Sequence, residues 1–493
     1  MSHRIDDLDP VPLFKHFAAL TRIPRGSGNE GGARDYVRAY ARNHGFDCRL
    51  DGAGNVVIAV PASPGREGAP IVVLQGHLDM VCEKAPDAAI DFAKDAIPAY
   101  VDGDHVRARG TTLGADNGIG VAAALAAGED RSCVHGPLEI LCTIDEETGL
   151  TGAFNLSGDM VRGRVMLNLD SEDEGTIFVG CAGGGDTAVT LPVKRGPAPA
   201  GWASVEVKAG GLRGGHSGLD IAKGRGNAIR LLARAIRAAV ADGGAGGAGG
   251  TAFRLACLAG GSKRNAIPRD AVACVCLPAD RAGGFVARVD AFAALARAEL
   301  GANDPDVAIT ATQAACAQAP IDEDGSGRLI RLLLALPHGP IAMSTDIPGL
   351  VETSTNLAVV EAKAAEVTVL CNSRSSVASA MEAVRLQIRA GGELAGADVA
   401  LTGQYPGWRP DMTSRLLAVA RDVWLRTSGR EAIVTAIHAG LECGVIGERA
   451  RGMDMISIGP DIRGAHSPDE NVSVPSVGRF YDYLKTLLAE LSA

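Results

Sequence analysis

Apolar and polar residues alternate along this chain with two different periods, and the changes of period mark its elements. In PVPLFKHFAALTRI, Phe14, Phe17, Leu20 and Ile23 recur at helical spacing, which predicts a first helix with one buried face. A Pro-Arg-Gly-Ser-Gly loop follows, and then a second helix over about residues 31–43. Short apolar runs predict strands at residues 55–60 and 71–74, and the Pro/Gly-rich PASPGREGAP between them reads as a connection of adjacent strands. The alanine-rich NGIGVAAALAAGED predicts a helix with Asp116 or Asn117 as N-cap. Strand, helix, strand repeats of this kind predict an α/β architecture, a mostly parallel mixed sheet with helices on both faces.

The middle of the chain reads differently. From about Thr187 to Thr402 the strands alternate, as in WASVEVKA, DAVACVCL and AAEVTVLCNSR, and they mix with helices at residues 226–241 and 379–392. This predicts an inserted α+β domain over residues 187–403. After Tyr405 the first pattern returns, with a helix near residues 413–427, the MISIGP strand and a terminal helix. Residues 1–186 and 404–493 are therefore expected to fold together as one discontinuous domain. The Gly/Ala-rich residues 242–250 read as a flexible surface loop.

Composition narrows the possibilities. A chain of 493 residues exceeds one ordinary core. Its net charge of −10, with no long basic run, argues against nucleic acid or an anionic membrane as partner. No stretch reaches the roughly 18 apolar residues of a spanning helix, and the start of the chain lacks a secretory pattern. Eleven irregularly spaced cysteines fit a cytoplasmic chain of reduced thiols, with Cys274 and Cys276 on one face of a core strand.

Candidate chemistry lies just past the apolar runs: His77 and Asp79, Glu146 and Glu147, Asp170, and His466, with Asp116 in TTLGADNGIG. In an open α/β sheet, side chains beyond the carboxyl ends of strands converge on one crevice. Imidazole and carboxylates without thiolate suit zinc, manganese or cobalt, and paired ions share a bridging carboxylate. His77 reads as a ligand and Asp79 as the acid that orients it. In the Asp145-Glu146-Glu147 run, Glu147 can hold a metal while Glu146 takes a proton; such a run is otherwise a solvated turn. Two adjacent acids can face one way only where the backbone leaves strand geometry, which the following Thr-Gly permits. Asp116 has the alternative role of N-cap.

The motifs GHLDMV, GADNGIG, IDEETG, NLDSED, GGHSGLDI, NAIP and GAHSPDE resemble, in order and spacing, the aminoacylase and carboxypeptidase-like superfamily of dinuclear zinc peptidases. MSTDIPGLVETSTNLAVV, NSRSS, YPGWRPD and IHAGLECG look like its aminoacyl-histidine (Xaa-His) dipeptidases. The resemblance covers essentially the whole chain. It implies two divalent ions, zinc first and manganese or cobalt as alternatives: His77, Asp116 and Asp170 on one, Asp116, Glu147 and His466 on the other. Glu146 is then the general base and the reaction is hydrolysis of dipeptides. An N-acyl-amino-acid deacylase or carboxypeptidase, or a binding protein without catalysis, are the rival readings.

The resemblance further implies that the insertion is a lid through which a homodimer forms. His216, Asn265 and Arg374 are expected to contact substrate, with His438-Ala439-Gly440 lining the cleft from the catalytic domain. Taken alone, His216 reads as a turn histidine, Asn265 as a turn former and Arg374 as a surface ion-pair residue. His438, in an apolar segment, reads as a hydrogen-bonded interior histidine.

Overall fold

The computed structural model describes residues 4–241, 251–316 and 318–493, so the glycine-rich residues 242–250 lie outside the described residues. The chain divides into two compact units. One comprises Met1–Cys181, Trp408–Ala436 and Leu441–Ala493, the other Ala182–Gly407 and Ile437–Gly440.

An eight-stranded sheet organises the first unit, in the order Asp47–Leu50, Val56–Val60, Leu138–Thr143, Val72–His77, Val165–Asn168, Asp454–Ser457, Thr176–Cys181, Ile433–Ile437. Its central pairings are parallel, whereas Val56–Val60 with Leu138–Thr143 and Asp454–Ser457 with Thr176–Cys181 are antiparallel. Val72–His77 and Leu138–Thr143 are buried at every position, as strands covered on both faces must be. Val73, Leu141 and Met166 pack with Leu156, Val445 and Ile446 on one face, and the helix Ala115–Glu129 packs against Val72–His77. Leu138–Thr143 separates Val56–Val60 from Val72–His77. The PASPGREGAP segment therefore does not join neighbours, because the later strand pairs with both.

The first two helices, Val11–Thr21 and Gly31–His44, form where the periodicity places them. The second ends on Gly45 at φ 70°, in the left-handed conformation that glycine adopts without steric penalty. A small four-stranded sheet pairs Ile462–Arg463 with Asn471–Ser473, and Asn471–Ser473 with His105–Ala108. The loop between its first two strands carries His466.

The second unit is α+β. Its nine-stranded sheet is antiparallel at every described pairing, and Ala228–Val240, Ala282–Leu300, Glu323–Ala335 and Ala378–Leu394 contribute to its apolar core. Ile437–Gly440 groups here, unlike the expectation for His438-Ala439-Gly440. The amide of Ala182 donates to Ile437 O and Ala439 O (3.0 Å each), and His438 bonds Ser354. Cys274 and Cys276 are core residues, as their spacing predicts. The expectation of reduced thiols fails at one position. Cys274 is joined to Cys316, whose Cα lies 6.4 Å away, within the span of a disulfide. A partner 42 residues on leaves no spacing signal. Among the described residues no helix is long and apolar enough to cross a membrane.

Candidate metal centre

His77 ends the central strand, and its register fixes its neighbours. Gln75 pairs with Asn168, so Asp170, two residues further on, stands beside the same strand end. His77 Nε2 lies 3.3 Å from Asp170 Oδ1 and 3.0 Å from Asp116 Oδ1. The other oxygen of Asp116 lies 3.2 Å from His466 Nε2, which is 3.0 Å from Glu147 Oε2. Asp116 thus faces two histidines at once.

Two donor groups result, His77–Asp116–Asp170 and Asp116–Glu147–His466, each with donor atoms within 4.8 Å of one another. Glu146 forms a third with His77 and Glu147. Asp116 is no N-cap. The helix Ala115–Glu129 has no side-chain cap, and Asp116 and Asn117 carry non-helical backbone angles inside its first turn. Asn117 spends its side chain across the sheet instead, accepting from His77 N (3.3 Å) and donating to Leu169 O (2.8 Å).

The Glu146–Glu147 pair turns inward because the backbone leaves strand geometry at Asp145, three residues before Thr148. Asp145 has φ 48° and starts the short helix Glu146–Gly149. Asp79 secures that turn, accepting Glu146 N at Oδ1 (3.0 Å) and Glu147 N at Oδ2 (3.1 Å). Its Oδ1 also lies 3.3 Å from His77 Nδ1. One buried carboxylate therefore stands beside a histidine ring and holds the backbone amides of two acids.

The donor set fits divalent cations. Carboxylates outnumber imidazoles, and burial pushes Asp170 up to about 7 and Glu146 well above the carboxylate range. Asp116 and Glu147 hold His466 protonated, up to about 11. Burial lowers His77, but Asp170, Asp116 and Asp79 outweigh it. Closely packed acids in a dry site are relieved by a cation.

Several residues here gave no signal in the sequence. Gln75, Thr143, Asn168 and Glu442 form a buried network. Glu442 Oε2 accepts from Gln75 Nε2 and Thr143 Oγ1 (2.6 Å each), and Asn168 Nδ2 donates to Gln75 Oε1 (2.6 Å). Burial raises Glu442 to about 7. Ser27 donates to Asp79 Oδ2 (2.8 Å), and Glu30 accepts from Asp145 N (3.1 Å). Arg25 and Glu470 also belong to these surroundings.

The remaining candidates lie in the second unit. His216 Nδ1 accepts the amides of Gly218 (3.2 Å) and Leu219 (3.1 Å), the turn role, which leaves Nε2 as its other polar atom. Burial, then Arg374, lowers its pKa. Asn265 is exposed, and its carbonyl accepts from Ser217 N (2.9 Å). Arg374 is no surface ion-pair residue. It is 6% exposed and donates to Tyr405 Oη (3.1 Å) and Ser217 Oγ (3.4 Å). A Cβ at Gly440 would stand 3.0 Å from the Tyr405 ring. His438 is an interior histidine, with Nε2 2.7 Å from Ser354 Oγ.

Known proteins resemble this chain along nearly its whole length. The chain is 41% identical over 489 residues to the cytosol non-specific dipeptidase of Escherichia coli (strain K12), with 99% of each covered. The solved aminoacylhistidine dipeptidase of Vibrio alginolyticus matches with a TM-score of 0.92 at 42% identity, over 99% of this chain and 98% of that one. The aminopeptidase PepT of Bacillus cereus shares the fold alone, with a TM-score of 0.57 at 16% identity over 99% and 100% of the two chains. The sequence profile of Peptidase family M20/M25/M40 spans residues 73–490, a stretch that encloses His77, Asp116, Glu147, Asp170 and His466, and the chain belongs to that family.

Proposed function

We propose that this peptidase hydrolyses dipeptides, Xaa-His dipeptides among them, with two divalent ions held as His77–Asp116–Asp170 and Asp116–Glu147–His466. One observation carries the reading: the two carboxylate oxygens of Asp116 face different histidines, at 3.0 and 3.2 Å. The donor chemistry favours zinc, with manganese and cobalt next. Bound there, the ions supply Lewis-acid charge that polarises an amide carbonyl and acidifies water.

The chain's own residues do the rest. Glu146 is placed by its amide on Asp79, and its carboxylate makes no hydrogen bond among the described residues. It is the group free to take the proton of the attacking water and return it to the leaving amine. Asp79 keeps His77 in one tautomer and orientation. In the second unit, buried Arg374 has no carboxylate partner among the described residues, which suits the carboxylate end of a short peptide. His216 acts near the reacting carbonyl, Asn265 and Gly440 contact substrate, and the unit serves as lid and homodimer surface. The relatives' names, cytosol non-specific dipeptidase and aminoacylhistidine dipeptidase, favour dipeptides over longer peptides and a cytoplasmic setting.

Glu146→Gln tests the base. The variant is expected to retain wild-type metal content while kcat on an Xaa-His dipeptide falls about 10²–10⁴-fold. Near-wild-type turnover would remove Glu146 from the chemistry.

A further inference from the structure

Two opposite charges are buried beneath the Asp116 loop without touching each other. Arg25 and Glu470 are each 2% exposed. The Arg25 guanidinium donates to Leu78 O (3.0 Å) and Asp79 O (2.8 Å) through Nη1, and to Gly114 O through Nη2. The Glu470 carboxylate accepts four consecutive amides, Leu113 (2.7 Å), Gly114 (2.9 Å), Ala115 (2.7 Å) and Asp116 (3.2 Å).

Gly114 is therefore gripped from both ends of its residue, its N–H by the acid and its carbonyl by the base. The glycines of LGADNG make room for this. A Cβ at Gly114 or Gly118 would fall 2.5 or 2.7 Å from Arg25 Nη2. Burying two charges is expensive, and an apolar pair of similar volume commonly serves stability as well. What an apolar pair cannot supply is seven directed hydrogen bonds to the backbone on which Asp79 and Asp116 stand. Glu470 also lies in the loop between Ile462–Arg463 and Asn471–Ser473 that carries His466. Arg25 lies outside residues 73–490, the span of the family profile.

We infer that Arg25 and Glu470 are positioning residues that act through the backbone to set where Asp79, Asp116 and His466 stand, and so govern the affinity of both metal positions together. The inference rests on the reading that Asp116 serves both ions. Outer partners of metal ligands typically change affinity about 10–100-fold, and an error at a shared ligand weakens both positions.

The test uses the full chain with Glu470→Gln and Arg25→Lys, and zinc as probe. Zinc per chain and its affinity are read by competition with a chromophoric chelator, beside the Tm of the metal-free protein. Both variants are expected to hold both ions about 10–100-fold more weakly, with the two positions weakened together. Asp170→Ala, by contrast, should lose one ion first. At saturating zinc, KM for a dipeptide stays near wild type while kcat falls. A lowered metal-free Tm with wild-type zinc affinity overturns the inference and leaves a purely structural pair. Should Glu470→Gln fail to fold, Glu470→Asp, which keeps the charge and shortens the reach, is read by the same criteria. Zinc binding is measured without substrate, so absence of dipeptide cleavage would overturn the proposed function and not this result.

Discussion

Asp116 shows why single residues at this centre were partly legible. An acid between glycines before a helix has two readings, cap or ligand, and only the presence of His77 and His466 at its two oxygens decides between them. The strand-end acids and histidines were readable because an apolar run that ends in a polar group points it out of the core. Arg25 and Glu470 were not, since their partners are backbone atoms that any sequence supplies. His438 carries a prediction at this scale. Burial, then Arg374 and His216, lowers its pKa to about 4, below the roughly 6.5 of an unfolded histidine. The unfolded chain then binds the extra proton first, so stability present above pH 6.5 is lost as pH falls towards 4. The loss from this group is at most about 3 kcal/mol. Chemical denaturation between pH 7 and 4 should show a shallower decline in His438→Gln than in wild type; parallel declines would refute the assignment.

Among the elements, the long apolar and alanine-rich segments formed where their periods placed them, the helix Ala115–Glu129 included. Strand order was not readable, because Leu138–Thr143 enters the sheet between two earlier strands and nothing local announces it. The helix Ala282–Leu300 was passed over in the α+β middle. Nine of its residues are alanines and glycines, three of them among its six buried positions, and they blur a 3.6-residue period. Close packing between elements gives a paired expectation. A Cβ at Gly120 would meet Leu169 O at 2.3 Å and the Asn117 amide at 2.7 Å, on the bond that ties the helix to the strand end before Asp170. Gly120→Ala should cost about 1–3 kcal/mol and weaken metal retention. At Gly45, where nothing lies within 4 Å but φ is +70°, alanine should cost about 1–2 kcal/mol and leave metal retention unchanged. Thermal melts with metal titration compare the two, and equal metal retention would contradict the link between Gly120 and the centre.

Across the whole molecule, the first unit is assembled from three stretches of chain, and its centre draws on residues from His77 to His466. Return of the α/β pattern after Tyr405 made that assembly visible in the sequence, while placement of Ile437–Gly440 in the second unit did not follow from any pattern. That short segment is held by backbone bonds to Ala182 and by one histidine, which are contacts no hydrophobic period encodes. A two-ion dipeptidase is tested by metal per chain together with turnover on an Xaa-His dipeptide, a tripeptide and an N-acyl amino acid, before chelation, after it and after zinc is restored. Two ions per chain, preference for the dipeptide, loss of turnover with the metal and its return with zinc are expected. Turnover that survives complete metal removal would contradict it, as would faster cleavage of the tripeptide or the acylated amino acid.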